Sequence, residues 1–288
     1  MFKRNEAIVH LDKMSAYKTK RHKFNAHQTP LKLLACLLSL NASALNAETQ
    51  HWQSTDYISN SFVEIALKNE YSDQESRVRK WIQPIHYSIV HRTADKVLHQ
   101  QITESHLKHL ASITGVRIQP ATDNNKINLT IIFSTEKLIH QELKQDFLLQ
   151  NKQHISELSR HSVCLAHFST YANNSIKNAV VIIPVDRARA HAKLLSCVVE
   201  ELTQIMGLPN DSDRVFPSIF NDKSHDDYLS GLDFILLKLL YRPEIKVGMN
   251  QPQVKKQLVK IMAQDNFQKL LKNSEQLVHQ QGLYRLLN

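Results

Sequence analysis

The sequence predicts an α+β fold, one mixed sheet packed by helices, with a helix at about 188–207 and a helical C-terminal part. Three observations lead there. "KINLTIIF" (126–133) and "NAVVIIPVD" (178–186) have the apolar, β-branched character of strong strands. Stretches with apolar residues three and four apart flank them, as helices laid on a sheet do. Five glycines and eight prolines in 288 residues leave few linkers, and no repeat is visible, so no boundary divides the chain between 48 and 250.

The elements follow in order. Residues 48–62 read as a lead-in and "FVEIALKNEYS" (62–72) as a short helix. "VRKWIQPIHYSIVH" (78–91) alternates in part and reads as a first strand, with Pro84 at an edge or bulge. "TADKVLHQQITESHLKHLASITG" (93–115) sets Val97, Ile102, Leu107, Leu110 and Ile113 at helical spacing and closes on a glycine. "VRIQP" (116–120) is a short strand. "STEKLIHQELKQDFLLQ" (134–150) opens with a capping hydroxyl and an early glutamate, then runs helically. No element is predicted between 151 and 177. Residues 188–207 form a helix ending at Gly207. "LSGLDFILLKLLYRP" (229–243) is another, with Asp233 near its start and Pro243 at its stop. Pro252 suits a first helical turn, and the pattern after it stays helical to about Leu287, with Val254, Leu258, Met262 and Phe267 on the apolar side.

The net charge of +9 is unevenly placed. Residues 1–32 hold eight Lys and Arg against Glu6 and Asp12, which is +6 and leaves +3 for the remainder. No basic face with aromatic residues or a nucleic-acid motif accompanies that remainder, so no nucleic-acid partner is expected. The basic stretch instead precedes an apolar run from Leu33 to about Leu45, and Ala44–Ala47 then places small residues where a signal peptidase cuts. We expect a signal peptide over 1–47 with a long basic leader, cleavage after Ala47, and export, with the periplasm as destination. Met14 is an alternative start, Cys36 an alternative lipoprotein site, and a short buried helix the alternative structural reading. The apolar run is shorter than the roughly 20 residues a membrane span needs, so the mature chain has no expected span. The domain is expected over 48–255, with a helical tail at 256–288 packed on it.

Export leaves Cys164 and Cys197. In an oxidising compartment an isolated pair predicts a disulfide; two buried thiols are the alternative.

The chemistry-bearing stretch is "CVVEELTQIMGLPND" (197–211). It has the spacing of a zinc-peptidase helix, histidine-glutamate-x-x-histidine-x-x-glycine, without the histidines. Glu200 stands at the first histidine position, Glu201 at the catalytic glutamate and Gln204 at the second histidine. Gly207 sits where the chain must turn, Asn210 at the third ligand position, and Asp211 follows. Positions 200 and 204 share one helical face. A catalytic zinc wants three good ligands, usually imidazoles, and amide oxygens are hard, weak ones. No zinc through these positions, and no other cofactor, is expected; an oxygen-ligated divalent metal is the alternative.

The wider run, "CVVEELTQIMGLPNDSDRVFPSIFND" followed by "LSGLDFILLKLLYRPEIKVGM", resembles the bacterial family called domain of unknown function 2927. The likeness is carried by Cys197, Glu200, Glu201, Gln204, Gly207, Asn210 and Asp211. It continues through Ser218, Phe220, Asn221, Asp222, Leu229, Gly231, Asp233, Tyr241, Gly248 and Met249. Ser230 stands where the family has threonine, which keeps a capping hydroxyl. The match is specific over about 164–255 and looser back to Trp81–Pro84. The resemblance implies export and a zincin-like fold in which Glu200 and Gln204 replace zinc ligands, with 178–186 as an edge strand leading into the motif helix and Met249 near a methionine-turn position. It supplies no reaction.

Two functions compete. The first is a pseudo-peptidase that binds a protein or envelope partner. The second is a peptidase-like hydrolase using Glu200, Glu201 and Gln204. Glu200 and Glu201 diverge by about 100° on a helix and cannot face each other as an acid/base pair. The oxygen donors of 210–213, 220–222 and 225–227 are explained by turns and caps, and the EF-hand order is absent. His191, nine residues before Glu200, lies roughly 13 Å away along a helix axis.

Overall fold

The two apolar runs become neighbouring interior strands. The computed structural model describes residues 51–68, 76–147, 151–221, 223–224 and 227–286. A 3₁₀ turn (His51–Gln53) leads into α1 (Thr55–Ala66), β1 (Ile85–His91), α2 (Lys96–Thr114) and β2 (Ile118–Pro120). A second 3₁₀ turn (Asn124–Lys126) precedes β3 (Leu129–Ser134), and a third (Glu136–Leu138) precedes α3 (Ile139–Gln145) and α4 (Lys152–His161). Then come β4 (Leu165–Thr170), β5 (Ile176–Pro184), α5 (Val185–Ala190), α6 (Leu194–Gln204) and α7 (Gly231–Leu240). The chain continues through α8 (Gln251–Met262), α9 (Asp265–Lys272) and α10 (Ser274–His279) to a 3₁₀ turn at Gly282–Leu286.

The architecture is α+β with one mixed five-stranded sheet, order β2-β1-β3-β5-β4. The first four strands in that order are parallel, and β4 runs antiparallel to β5 at the edge. Helices cover both faces, so β3 and β5 are apolar on both, as interior parallel strands must be. Ile131, Phe133, Val181 and Ile183 enter the main core with α1, α2, α6 and α7. Ile132 and Ile182 point the other way, into a smaller core with Ile139, Leu143, Phe147, Ile155 and Leu165. Each such side chain, fully buried, contributes about 1.5–3 kcal/mol.

Several caps behave as their residues dictate. Gly115 closes α2 at φ 75°. Ser230 and Asp233 form a reciprocal capping box on α7, and Asn250 with Gln253 does the same for α8, with Pro252 in its first turn.

The differences from expectation have local causes. The strand expected over 78–91 is regular only from Ile85, because Val78–Trp81 bonds to other partners described below. The lead-in is helical from Thr55, capped by the Ser54 hydroxyl. Ser134 does not cap the following helix; its hydroxyl donates to buried Glu142 at 2.7 Å. The helix over 188–207 is two helices, separated where Ala192 takes φ 55°. The tail breaks near Ala263 and Asn273. Strand 178–186 is not an edge strand, because β4, which carried no signal, hydrogen-bonds to its outer side. The region 1–47, and with it the leader, falls outside the described residues. Among those residues no helix is long and apolar enough to cross a membrane.

Candidate functional site

Helix α6 is buried along most of its length, with Cys197, Val198, Val199 and Leu202 in the main core. Its remaining face borders a cleft of about 650 Å³. Glu200, Glu201 and Gln204 all line this cleft, and so does Asp211. The two glutamates therefore share a cavity despite diverging on the helix. Glu201 is the deeper, 6% exposed. The Gln204 amide donates to Asp211 Oδ1 at 2.9 Å, which ties the motif helix to the loop after Gly207.

Asn210 is held elsewhere. Its amide donates to the backbone carbonyls of Glu64 and Asp211, and its own N–H reaches Ile65 O, so it fastens the loop to the end of α1. At the third ligand position the cleft receives Asp211 instead. Among the described residues no three His, Cys, Asp or Glu side chains gather to hold a metal ion. The two histidine positions of the zinc-peptidase spacing hold a carboxylate, Glu200, and an amide, Gln204, whose nitrogen is bonded to Asp211.

Gly207 shows why the helix must end in glycine. Its φ is 110°, and a Cβ built there would lie 2.0 Å from the backbone oxygen of Arg79. The Val78–Trp81 segment thus passes against the end of α6. It is pinned on all sides. Trp81 Nε1 donates to Ile205 O at 2.8 Å, and the Tyr241 hydroxyl donates to Met206 O at 2.8 Å, so two ring groups satisfy the carbonyls of the turn that follows α6. Val78 pairs through backbone bonds with Gly248 and Met249. The buried Lys80 ammonium donates to the carbonyls of Leu240, Arg242 and Ile245 at the end of α7. Met249 belongs to this clasp and does not line the cleft.

The remaining motif residues lock the loop. Asp233 is fully buried and accepts from the hydroxyls of Ser218 and Ser230 and from the N–H groups of Ile219 and Ser230. Burial pushes its pKa up to about 6. Asn221 donates to Val215 O at 2.9 Å. Asp222, also expected here, lies outside the described residues.

The motif helix with its glycine, the Asp233 lock and the Gly248–Met249 clasp all lie inside the span of a family match. Residues 55–260, more than half of the chain, match the family described as a protein of unknown function, DUF2927. The chain belongs to this family. No curated protein and no solved structure matches it.

The opposite wall of the DUF2927 cleft is β4 with the segment before it. Leu165 and His167 project from one face of this strand, Ala166 and Phe168 from the other, and all four line the cleft. Since the inner edge of β4 is paired with β5, a cavity reached from both faces follows its outer edge. The expected disulfide is present: Cys164, just before β4, is bonded to Cys197 on α6 with Cα atoms 5.8 Å apart, so the two walls are covalently joined.

Sequence reasoning missed Arg79, which reaches the cleft from the pinned segment. Its guanidinium lies over the Phe168 ring, 5.3 Å from the centroid, and one nitrogen donates to Lys68 O at 3.3 Å. Its Nε is buried with no hydrogen-bond partner, and burial holds its pKa below the ordinary arginine value. His154 and His161, on α4, also border the cleft. The only signal for Arg79 was a charge set between β-branched and aromatic residues.

Proposed function

We propose that this DUF2927 domain is an exported, zincin-like pseudo-peptidase that binds an extended polypeptide segment of a cell-envelope protein along the outer edge of β4. The observation that carries this reading is a cleft bounded on one side by the edge of an antiparallel strand and on the other by the motif helix. A strand edge offers backbone N–H and C=O groups that an incoming strand can pair with. The mixed sheet and the buried α6, with Gly207 in the turn that follows it, support the zincin-like assignment. The replacement of imidazoles by Glu200 and Gln204 supports binding without zinc-peptidase chemistry. The disulfide supports an oxidising, extracytoplasmic setting.

The test uses the mature chain, residues 48–288, purified from the periplasm without chelator. We expect a fluorescent pool of random octapeptides to be bound and left uncleaved, with less than about one zinc per ten chains. Chelator-sensitive cleavage of the pool would overturn the proposal.

The second reading is a hydrolase, favoured by Glu200, Glu201 and Gln204 meeting in one open cleft. It requires Glu201→Gln to abolish a peptide-cleaving activity while the chain stays folded. An unchanged rate, or no activity in the parent, removes it.

A further inference from the structure

We propose that the polypeptide joins β4 as a sixth strand in one fixed phase, and that Phe147 and Leu158 select an apolar side chain at the ligand position opposite His167. The inference rests on the polypeptide-binding reading above and adds the backbone groups that pair and the sequence pattern that fits. The pairing of β5 sets the phase. Ala179 N–H donates to Asn128 O at 2.8 Å, so Ala179, Val181 and Ile183 turn their backbone groups toward β3. Val180 and Ile182 turn theirs the other way, toward their partners His167 and Leu165. The N–H and C=O groups of Ala166 and Phe168 therefore lie on the outer edge of β4. Among the described residues no backbone bond reaches them, and both residues line the cleft. An incoming strand supplies the missing partners.

The two faces of that strand give the ligand pattern. Side chains of a paired strand lie on the same face as the residues opposite them. Ligand residues opposite Ala166 and Phe168 therefore point toward α6, and the one between them, opposite His167, points toward α4. The walls they meet differ. On the α4 side, Phe147 and Leu158 pack with Leu165 in the smaller core and also line the cleft. The His167 ring lies 5.6 Å from that of Phe147. On the other side, the motif helix contributes the polar side chains of Glu200, Glu201 and Gln204. A ligand with an apolar residue at every second position meets both walls. Its apolar side chain covers Phe147 and Leu158, and its polar neighbours reach α6. A continuous apolar run would set apolar groups against the three polar ones of α6, which is costly. The partner is thus an amphipathic strand, apolar on one face and polar on the other.

The experiment uses the mature, disulfide-bonded chain and two fluorescent, amidated octapeptide pools of equal composition, half Leu and Val, half Ser and Gln. In one pool apolar and polar residues alternate; in the other they form two blocks. Binding is read by anisotropy. We expect the alternating pool to bind roughly 10- to 100-fold tighter. Leu158→Gln, at a half-buried position on α4, should remove most of that preference, with folding checked by urea unfolding. As a reading on the parent chain alone, amide exchange followed by NMR should slow more at Ala166 and Phe168 than at Leu165 and His167, which already pair with β5. Equal binding of both pools, or a preference that survives Leu158→Gln, overturns the selection by Phe147 and Leu158 and leaves the polypeptide reading standing. Protection of Leu165 and His167 ahead of Ala166 and Phe168 overturns the phase. No binding by either pool overturns both this inference and the reading it rests on.

Discussion

Gly207→Ala measures how tightly the end of the motif helix is built. At φ 110° an alanine leaves the region that L-residues adopt, at a cost of about 1–3 kcal/mol. Its methyl group would also sit 2.0 Å from Arg79 O and 3.3 Å from Leu240 Cδ2. The first neighbour is backbone, held by the Trp81, Tyr241 and Lys80 hydrogen bonds, so it cannot swing aside. Overpacking of this kind adds about 1–3 kcal/mol. The two terms give ~2–6 kcal/mol, which for a chain of this size lowers Tm by roughly 4–24 °C. The assay is thermal and urea unfolding of the oxidised mature chain. Gly115→Ala is the control, because Gly115 also has positive φ but has nothing within 4 Å of an added Cβ, and should lose only about 1 kcal/mol. Equal losses at the two glycines would refute the close-approach argument. A Gly207→Ala protein within about 2 °C of the parent would refute the strain argument as well.

Further outcomes follow from the same geometry. Replacing Cys164 and Cys197 by serine opens a cross-link across 33 residues and should cost about 3–4 kcal/mol in urea unfolding; a change under about 1 kcal/mol would contradict the assignment of the bond as structural. Asp233→Asn leaves four donors facing a group that cannot accept them all, so a loss of about 2–4 kcal/mol is expected by the same assay, against none if the lock is incidental. Burial depresses His106 to about 3 and His109 to about 4, so below pH 6.5 the unfolded chain takes up protons that the folded chain refuses, and stability present above that pH is lost as it falls. Asp233, raised to about 6, works the other way between pH 6 and its unfolded value near 3.8 and offsets one histidine. At ~1.4 kcal/mol per group per pH unit, a net loss of ~2 kcal/mol from pH 6 to 4.5 is expected. His106→Gln should flatten that slope, and an unaltered slope would show that His106 titrates normally.

The sheet interior was legible because β3 and β5 are buried on both faces, which leaves a continuous apolar signal at Leu129–Phe133 and Ala179–Ile183. Strand β4 was not: at the edge only Leu165 is fully buried, while His167, Ser169 and Thr170 face solvent and erase the alternation. The break before α6 was invisible because it rests on Ala192 in a left-handed conformation, without the glycine or proline that usually announces one. Val78–Trp81 looks like strand, and Lys80 does form an isolated parallel bridge with Ser175, but its other long-range partners are Lys68, Gly248, Met249 and the chain at the ends of α6 and α7. The motif helix itself was readable as far as Gln204 and Gly207. What the spacing could not show is that Asp211 enters the cleft in place of Asn210, or that Arg79 arrives from more than a hundred residues upstream to line the same cleft.

The central claim is that the outer edge of β4 is a docking edge for a polypeptide. Amide hydrogen exchange of the mature chain, with and without the random octapeptide pool, tests it most directly. The account expects slowed exchange at Leu165–Thr170 when the pool is bound. Binding that leaves those amides unchanged, or protects a different part of the molecule, would contradict it.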